Sequence, residues 1–394
     1  MTEADSDRMI EAIAAYFEGK GWGERSCDQC GKRFLIKSRS TVSSDRCERG
    51  KCAPGRLTFK RLAKQRKFAT PNEIEAKVER LFSVSGVAKV PSLSIVSTAG
   101  ETNLVVAGVQ ILDDVIHEDQ PLRTEPVFVA QPCMRMKFLP SVGSAEGVST
   151  SFVNVCTEHM TADFEAHVRL IDRWCDALSE VGLHMNDFRI VLRTSEKDWG
   201  TGSFRAVEAF FMYGGLELGD AAYFHIPRSN GDPVSISDIG FGLERIVWAI
   251  NKTPSYFDLL MPATFIGEPE LFDAVRSVTL LAICGVLPGN KGPGLQFRRF
   301  ARTIGERFFG EDAFQLLPHC IDYWSRFVQP SVDSASAVRV VRREAERFVN
   351  LKICERLSLP APRDESTEEY FARLVYTHGA EVHQLRDALK QCKK

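Results

Sequence analysis

Residues Ser237 to Arg245 read Ser-Asp-Ile-Gly-Phe-Gly-Leu-Glu-Arg and run straight into Ile246-Val247-Trp248-Ala249-Ile250. Val234, Ile236 and Ile239 lead in with a strand-like pattern, and the apolar periodicity afterwards predicts a helix carrying Glu244 and Arg245 in its first turn. Between them Gly240 and Gly242 predict a bend with bare backbone. A strand, a glycine-opened bend and an arginine at the head of a helix suit a pocket that holds a phosphate-rich ligand against main chain.

Bulk properties set the bounds around that motif. A chain of 394 residues, 44% of them hydrophobic, is expected to hold two or three domains with a sizeable core. A net charge of −2 carries no overall nucleic-acid signature, so RNA contact has to come from local basic patches. No run approaches the ~18–20 apolar residues of a membrane span, and the polar, acidic start is no signal peptide. The eleven cysteines are an odd number in a chain without export signals, which predicts a reducing cytoplasm and reduced thiols.

The N-terminal part predicts a metal site. Met9, Ile10, Ile13, Tyr16 and Phe17 fall on one face of a short helix that Gly19 and Gly21 end. Cys27 and Cys30, then Cys47 and Cys52, follow as two close pairs, each able to present two thiolates to one tetrahedral ion. Two disulfides or four unrelated thiols are the alternatives. A zinc held by four thiolates would be structural, because no position stays open for water. Residues 56 to 82 are basic and helical in pattern, with Lys60, Arg61, Lys64, Arg66 and Lys67 on a solvated face.

Between residues 93 and 155 the pattern turns β-like, in Ile95-Val96, Leu104-Val105-Val106 and Val127-Phe128-Val129. Here a family resemblance becomes specific. Thr102 to Gln110, Ala130-Gln131-Pro132-Cys133-Met134-Arg135, and the Asp238 to Arg245 stretch resemble, in order, the three signature motifs of class II aminoacyl-tRNA synthetases. Within that class they are most similar to alanyl-tRNA synthetases of the archaeal type, which also start with a short helix and a cysteine-rich knuckle. The resemblance implies an α+β fold: an antiparallel sheet flanked by helices, with an N-terminal zinc knuckle and a C-terminal helical domain. It implies boundaries near 1–58, 59–262 and 263–394. It also implies ATP with Mg²⁺ as the energy source for amino-acid activation.

The same resemblance assigns residues. Arg135 would hold the ATP α-phosphate and the aminoacyl carboxylate, Phe152 would stack on adenine, and Arg245 would clamp the triphosphate beside Gly240 and Gly242. A fixed guanidinium stabilises the negative charge that builds as a carboxylate attacks phosphorus. Asp238 would pair with the substrate α-ammonium, and Trp199, with Gly200 and Gly202, would pack against the amino acid. The chain departs from the family at Val153, where relatives carry a glutamate; Asn154 could replace part of its hydrogen bonding. It departs again at Asp220-Ala221-Ala222-Tyr223, where relatives carry a small polar residue and then larger apolar ones. Ala222 is expected to widen the pocket floor, and Asp220 to add a carboxylate. One methyl group is worth only ~1–3 kcal/mol in selection, so such a wall can change the amino acid chosen.

From Pro269 onward the pattern is helical. Cys284 to Arg302 resembles the family's acceptor-stem loop and basic helix, which makes Asn290 a candidate reader of the stem and Arg298, Arg299 and Arg302 candidate phosphate contacts. Pro293 stands where the family has an arginine. Further helices are predicted over 338–351, 366–376 and 380–389, with Arg339, Arg342, Arg343 and Arg347 on the first. The family's editing domain and oligomerising tail have no counterpart, and His378-x4-His383 has the wrong spacing for the editing zinc motif. The expectation is therefore a truncated paralogue without proofreading. Three readings stand: a synthetase that charges tRNA with alanine or another small amino acid; a ligase that passes the aminoacyl group to a small molecule, peptide or carrier; and a non-catalytic RNA-binding relic. The resemblance leaves a homodimer open.

Overall fold

A computed structural model describes residues 1–38, 45–54, 57–62, 68–97, 103–117, 120–199, 202–228, 230–262, 265, 268–307, 311–363 and 365–392. Arg56, Lys64, Arg66, Lys67, Thr102 and Gly200 therefore lie outside the described residues, as does the side chain of Trp199. Among the described residues no helix is long and apolar enough to cross a membrane.

The strands are β1 (Trp22–Ser26), β2 (Arg33–Lys37), β3 (Ala88–Lys89), β4 (Val127–Met134), β5 (Ser151–Met160), β6 (Phe188–Trp199), β7 (Gly202–Tyr213), β8 (Leu216–Pro227) and β9 (Pro233–Gly242). They form one sheet in the order β1-β2-β6-β7-β8-β9-β5-β4-β3. The pairs from β6 through β9 to β5 are antiparallel, and β3 with β4 is parallel. The helices are α1 (Glu3–Glu18), α2 (Pro71–Val84), α3 (Asp113–His117), α4 (Phe164–Glu180), α5 (Leu243–Asn251), α6 (Pro269–Ile283), α7 (Gly292–Arg307), α8 (Glu311–Trp324), α9 (Ser334–Leu357), α10 (Thr367–His378) and α11 (Val382–Cys392). The fold is α+β with a large, mostly antiparallel sheet, as expected of a class II synthetase catalytic domain.

The chain divides into two compact units. The first comprises Met1–Ser92, Ala107–Gln131 and Phe152–Leu259; the second comprises Leu93–Val106, Pro132–Ser151 and Leu260–Lys394. One break between the units falls at Leu259–Leu260. Leu93–Val106 and Pro132–Ser151, placed by the sequence in the catalytic region, group instead with the helices that follow.

In the first unit α1 begins with a capping box between Thr2 and Asp5 and buries Ile10, Ile13 and Phe17. The β7–β8 hairpin turns through Gly214 and Gly215 at φ 52° and 85°, the paired left-handed conformation of a two-residue turn. A Cβ at Gly214 would stand 2.4 Å from the Phe59 backbone, so the hairpin can lie against the chain leaving the cysteine pairs only as glycine. Helix α4 covers one face of the sheet: Trp174 stacks 4.6 Å from Phe241 and its Nε1 donates to Thr157 Oγ1 at 2.9 Å. His167 bonds Ser237 Oγ at 2.7 Å on that same face.

In the second unit α6 is buried along nearly its whole length. Asp273 accepts from the Thr150 N–H at 2.7 Å, and Arg276 donates to Ser151 O at 2.6 Å while its guanidinium lies 4.4 Å from the Trp324 ring. The three predicted C-terminal helices are present as α9, α10 and α11.

Candidate active site and metal centre

Strand alternation sends every second residue to one face, and pairing in register lines such residues up across strands. On the face away from α4, one row runs Arg193 (β6), Glu208 (β7), Ala222 (β8), Asp238 (β9), Glu158 (β5). The adjoining row runs Phe210, Asp220, Gly240, Cys156, and a further step pairs Gly242 with Asn154. Strand register thus assembles Asp238, Gly240, Gly242, Asp220, Ala222 and Asn154, each expected at the site, on a single sheet face.

The glycines act differently from the expected bend. Gly240 and Gly242 both lie in extended β9, which passes into α5 with Gly242 as N-cap at φ −73°. Gly240 is needed for closeness instead: a Cβ there would stand 2.7 Å from Asn154 Oδ1, and a Cβ at Gly219 would stand 2.2 Å from Gly240 O. At the head of α5, buried Glu244 accepts the Val153 N–H with both carboxylate oxygens, at 3.1 and 3.0 Å. Val153 itself is fully buried, so its apolar side chain is explained as core. Arg245 Nη1 donates to Glu217 O at 2.8 Å, which fixes the guanidinium at the end of the sheet.

The row is dense in charge. Glu208 is 1% exposed and accepts from Arg193 Nε, Ser195 Oγ and Lys197 Nζ, each at 2.7 Å. Burial would raise its carboxyl, but Lys197 and these hydrogen bonds hold it below the usual range. Burial, with Asp238 next, pushes Glu158 well above the usual carboxylate range. Burial also pushes Asp220 up to about 6, against the pull of Lys197. Ala222 is completely buried in a cluster with Phe204, Phe224 and Val109, so it is core rather than the expected open pocket floor. Trp199 ends β6 opposite Gly202.

Arg135 belongs to the second unit, where its N–H donates to Thr150 O at 2.8 Å and its Nε to Val106 O at 2.7 Å. In the same unit Arg298 is engaged by Glu344 at 3.0 Å and by Asn290, while Arg299 and Arg302 are exposed on α7. Arg302 bonds Glu306 at 2.6 Å. Two of the candidate RNA contacts are therefore occupied by one another.

The four cysteines Cys27, Cys30, Cys47 and Cys52 converge, their Sγ atoms all within 4.8 Å of one another. The Cys27–Cys52 and Cys30–Cys47 separations are 3.7 Å, far beyond a disulfide bond. They match the edge of about 3.8 Å of a tetrahedron built on Zn–S bonds of ~2.3 Å. Burial would raise the Cys27 thiol, yet backbone donors from Cys47, Gln29 and Cys30 outweigh it and bring it down to about 6. The cluster could bind zinc. It packs on Val191, Phe210 and Met212 of the sheet.

Sequence similarity to known proteins fits this arrangement. The chain is 24% identical over 275 residues to an alanine–tRNA ligase of Korarchaeum cryptofilum, covering 65% of this chain and 29% of that protein. It is 24% identical over 312 residues to one from Methanothrix thermoacetophila, covering 75% and 32%. The chain is a distant, partial homologue of alanine–tRNA ligases. The match spans about three-tenths of the length of these relatives. No protein-family model matches. Among solved structures, a pyrrolysyl-tRNA synthetase of Desulfitobacterium hafniense aligns with TM-score 0.35 and 18% identity, over 50% of this chain and 72% of that one. A prolyl-tRNA synthetase of Cryptosporidium parvum, complexed with proline and AMP, aligns with TM-score 0.31 and 10% identity, over 69% and 71%.

Residues the sequence reading passed over are Arg193 and Lys197, which balance Glu208, and Arg49, which sits between two of the cysteines. A strand carrying Arg193, Ser195 and Lys197 at alternate positions was a usable signal. Glu158 stands directly opposite Asp238.

Proposed function

We propose that this chain activates a small amino acid with ATP, forming an aminoacyl-adenylate, and transfers the aminoacyl group to tRNA. The observation that carries the reading is Asp238 beside bare Gly240 on one sheet face, with Arg245 at the head of α5 anchored on Glu217 O at 2.8 Å. The absence of side chains at Gly240 and Gly219 leaves main chain against which a flat or phosphate-bearing group can lie. Asp238 takes the α-ammonium and fixes the amino acid so that its carboxylate points at the α-phosphorus. Arg245 holds triphosphate charge and stabilises what builds up as the carboxylate attacks. Phe152 and Asn154 serve the nucleotide. Mg²⁺ bound with the triphosphate would neutralise part of its charge. Zinc on the four cysteines would be structural, since no ligand position remains open.

A second acceptor class has support of its own. Asn290 and Arg298 bind each other, and Glu344 engages Arg298 as well, so a loop meant for an acceptor stem is already partly satisfied. That favours transfer to a small molecule, peptide or carrier.

Amino-acid-dependent exchange of pyrophosphate into ATP tests the activation step. Arg245→Ala should abolish exchange with the fold intact by circular dichroism; unchanged exchange in that variant would sink the site. Trapping the aminoacyl product with and without total tRNA separates the two acceptors.

A further inference from the structure

The charge on the sheet face that carries Asp238 turns on one residue. Glu158, Glu208, Asp220 and Asp238 stand there with two cations, Arg193 and Lys197, both bonded to Glu208. One α-ammonium brings the cations to three, which matches the acids only if one of the four is neutral.

Position and burial select Glu158 as the neutral one. It is 1% exposed, and neither of its carboxyl oxygens has a hydrogen-bond partner among the described residues. A buried carboxylate without donors is costly, and the protonated acid avoids most of that cost. The ionisable groups that face it bring no positive charge: Asp238 stands opposite on β9, Asp220 lies beyond on β8, and the Cys156 thiol precedes it on β5. Neither β4 nor Gly108–Leu112, whose Gly108 lies against Cys156, carries a charged side chain. His159 alternates to the other face and bonds Thr124 O at 2.9 Å. Asp238 is within hydrogen-bonding reach of Glu158, and two ionised carboxylates have no hydrogen to place between them. Asp238 is the more exposed of the two. The negative charge therefore belongs on Asp238 and the proton on Glu158.

We propose that Glu158 is a positioning residue of the amino-acid site: as the neutral acid it donates a hydrogen bond to Asp238 and holds that carboxylate for the substrate α-ammonium. This rests on the adenylation reading and adds how the partner of the amine is fixed. With the Glu158 proton in place, the charges of Glu208, Asp220 and Asp238 balance those of Arg193, Lys197 and the bound amine. An ionised Glu158 would repel Asp238 and leave one carboxylate in excess.

Glu158→Leu and Glu158→Gln in the full chain test this, with circular dichroism checking that each is folded. Leucine removes the donor; glutamine restores a donor without a charge. Pyrophosphate exchange is measured with whichever of the protein amino acids supports it best. In Glu158→Leu the KM for that amino acid should rise about tenfold, with the KM for ATP unchanged, and Glu158→Gln should recover most of the loss. A glutamine variant as impaired as the leucine variant would mean that Glu158 acts ionised, and an unaltered KM in the leucine variant that it positions nothing; either overturns the proposal. If no amino acid supports exchange in the wild type, the adenylation reading fails and the positioning role with it. The proton is judged apart from activity. Infrared spectra at pH 7 should show the carbonyl band of a buried, protonated carboxyl group that Glu158→Gln removes, and spectra without that band overturn the proposal even where exchange is seen.

Discussion

Arg49 Nε lies 2.8 Å from Glu217 Oε2, so the cysteine knuckle reaches the residue whose carbonyl anchors Arg245. Arg49 sits between Cys47 and Cys52, and its guanidinium also stacks 3.4 Å from the Phe210 ring. Arg193 packs on the same ring at 4.5 Å and bonds Glu208. A chain of named contacts thus joins the cysteine cluster to Arg245 and to the Arg193 end of the charged row.

Arg49→Ala should therefore weaken ATP binding without touching ATP. Hydrogen bonds to charged groups are worth about 1.5–3 kcal/mol, and only part of that would be transmitted to Arg245. The expected result is a rise of roughly three- to tenfold in the KM for ATP in exchange assays, with the KM for the amino acid little changed. Equal rises in both would point to general loosening instead.

Metal analysis should find one zinc per chain, and Cys52→Ser should remove it. Because binding free energy at a structural zinc site is folding free energy, thermal unfolding of the stripped protein should start at least ~5 °C lower. A mass spectrum of the native protein showing two disulfides would contradict the assignment.

Glu244→Ala should cost about 2–3 kcal/mol in denaturant unfolding, because the buried Val153 N–H loses its only carboxylate acceptor. The motif's glutamate is thus read as a brace between α5 and β5. An unfolding midpoint unchanged from wild type would argue against that.

His167 gives a pH signature. Burial holds its imidazole down to about 3, with Nδ1 on Ser237 and Nε2 unmatched. The unfolded chain takes up a proton near pH 6.5 that the folded chain refuses, so stability is whole above pH 6.5 and declines as pH falls towards 3. Asp220 and Asp273, both pushed up to about 6, act in the opposite sense between about pH 4 and 6. The difference between wild type and His167→Gln isolates the histidine. Wild type should lose ~1 kcal/mol per pH unit relative to the variant below pH 6, and parallel curves would refute it.

Much of the site was legible because strand period and motif spacing are local properties. Asp238 with Gly240, and the cysteine pairs, could be read directly, and α1, α9, α10 and α11 followed from apolar periodicity. The role of Gly240 was not legible, since its closeness to Asn154 depends on how β5 pairs with β9, a contact between residues some eighty apart. The same pairing hid Glu158. The burial of Ala222 also escaped, because what covers a strand is set by distant segments such as Gly108–Leu112.

The central claim is that this chain makes an aminoacyl-adenylate. Single-turnover incubation with ATP, Mg²⁺ and a panel of protein amino acids, quenched into hydroxylamine, measures it directly by mass spectrometry. The account predicts one aminoacyl hydroxamate and one AMP per active site for the accepted amino acid, both lost in Arg245→Ala. ATP left intact with every amino acid, by a folded and zinc-loaded protein, would contradict it.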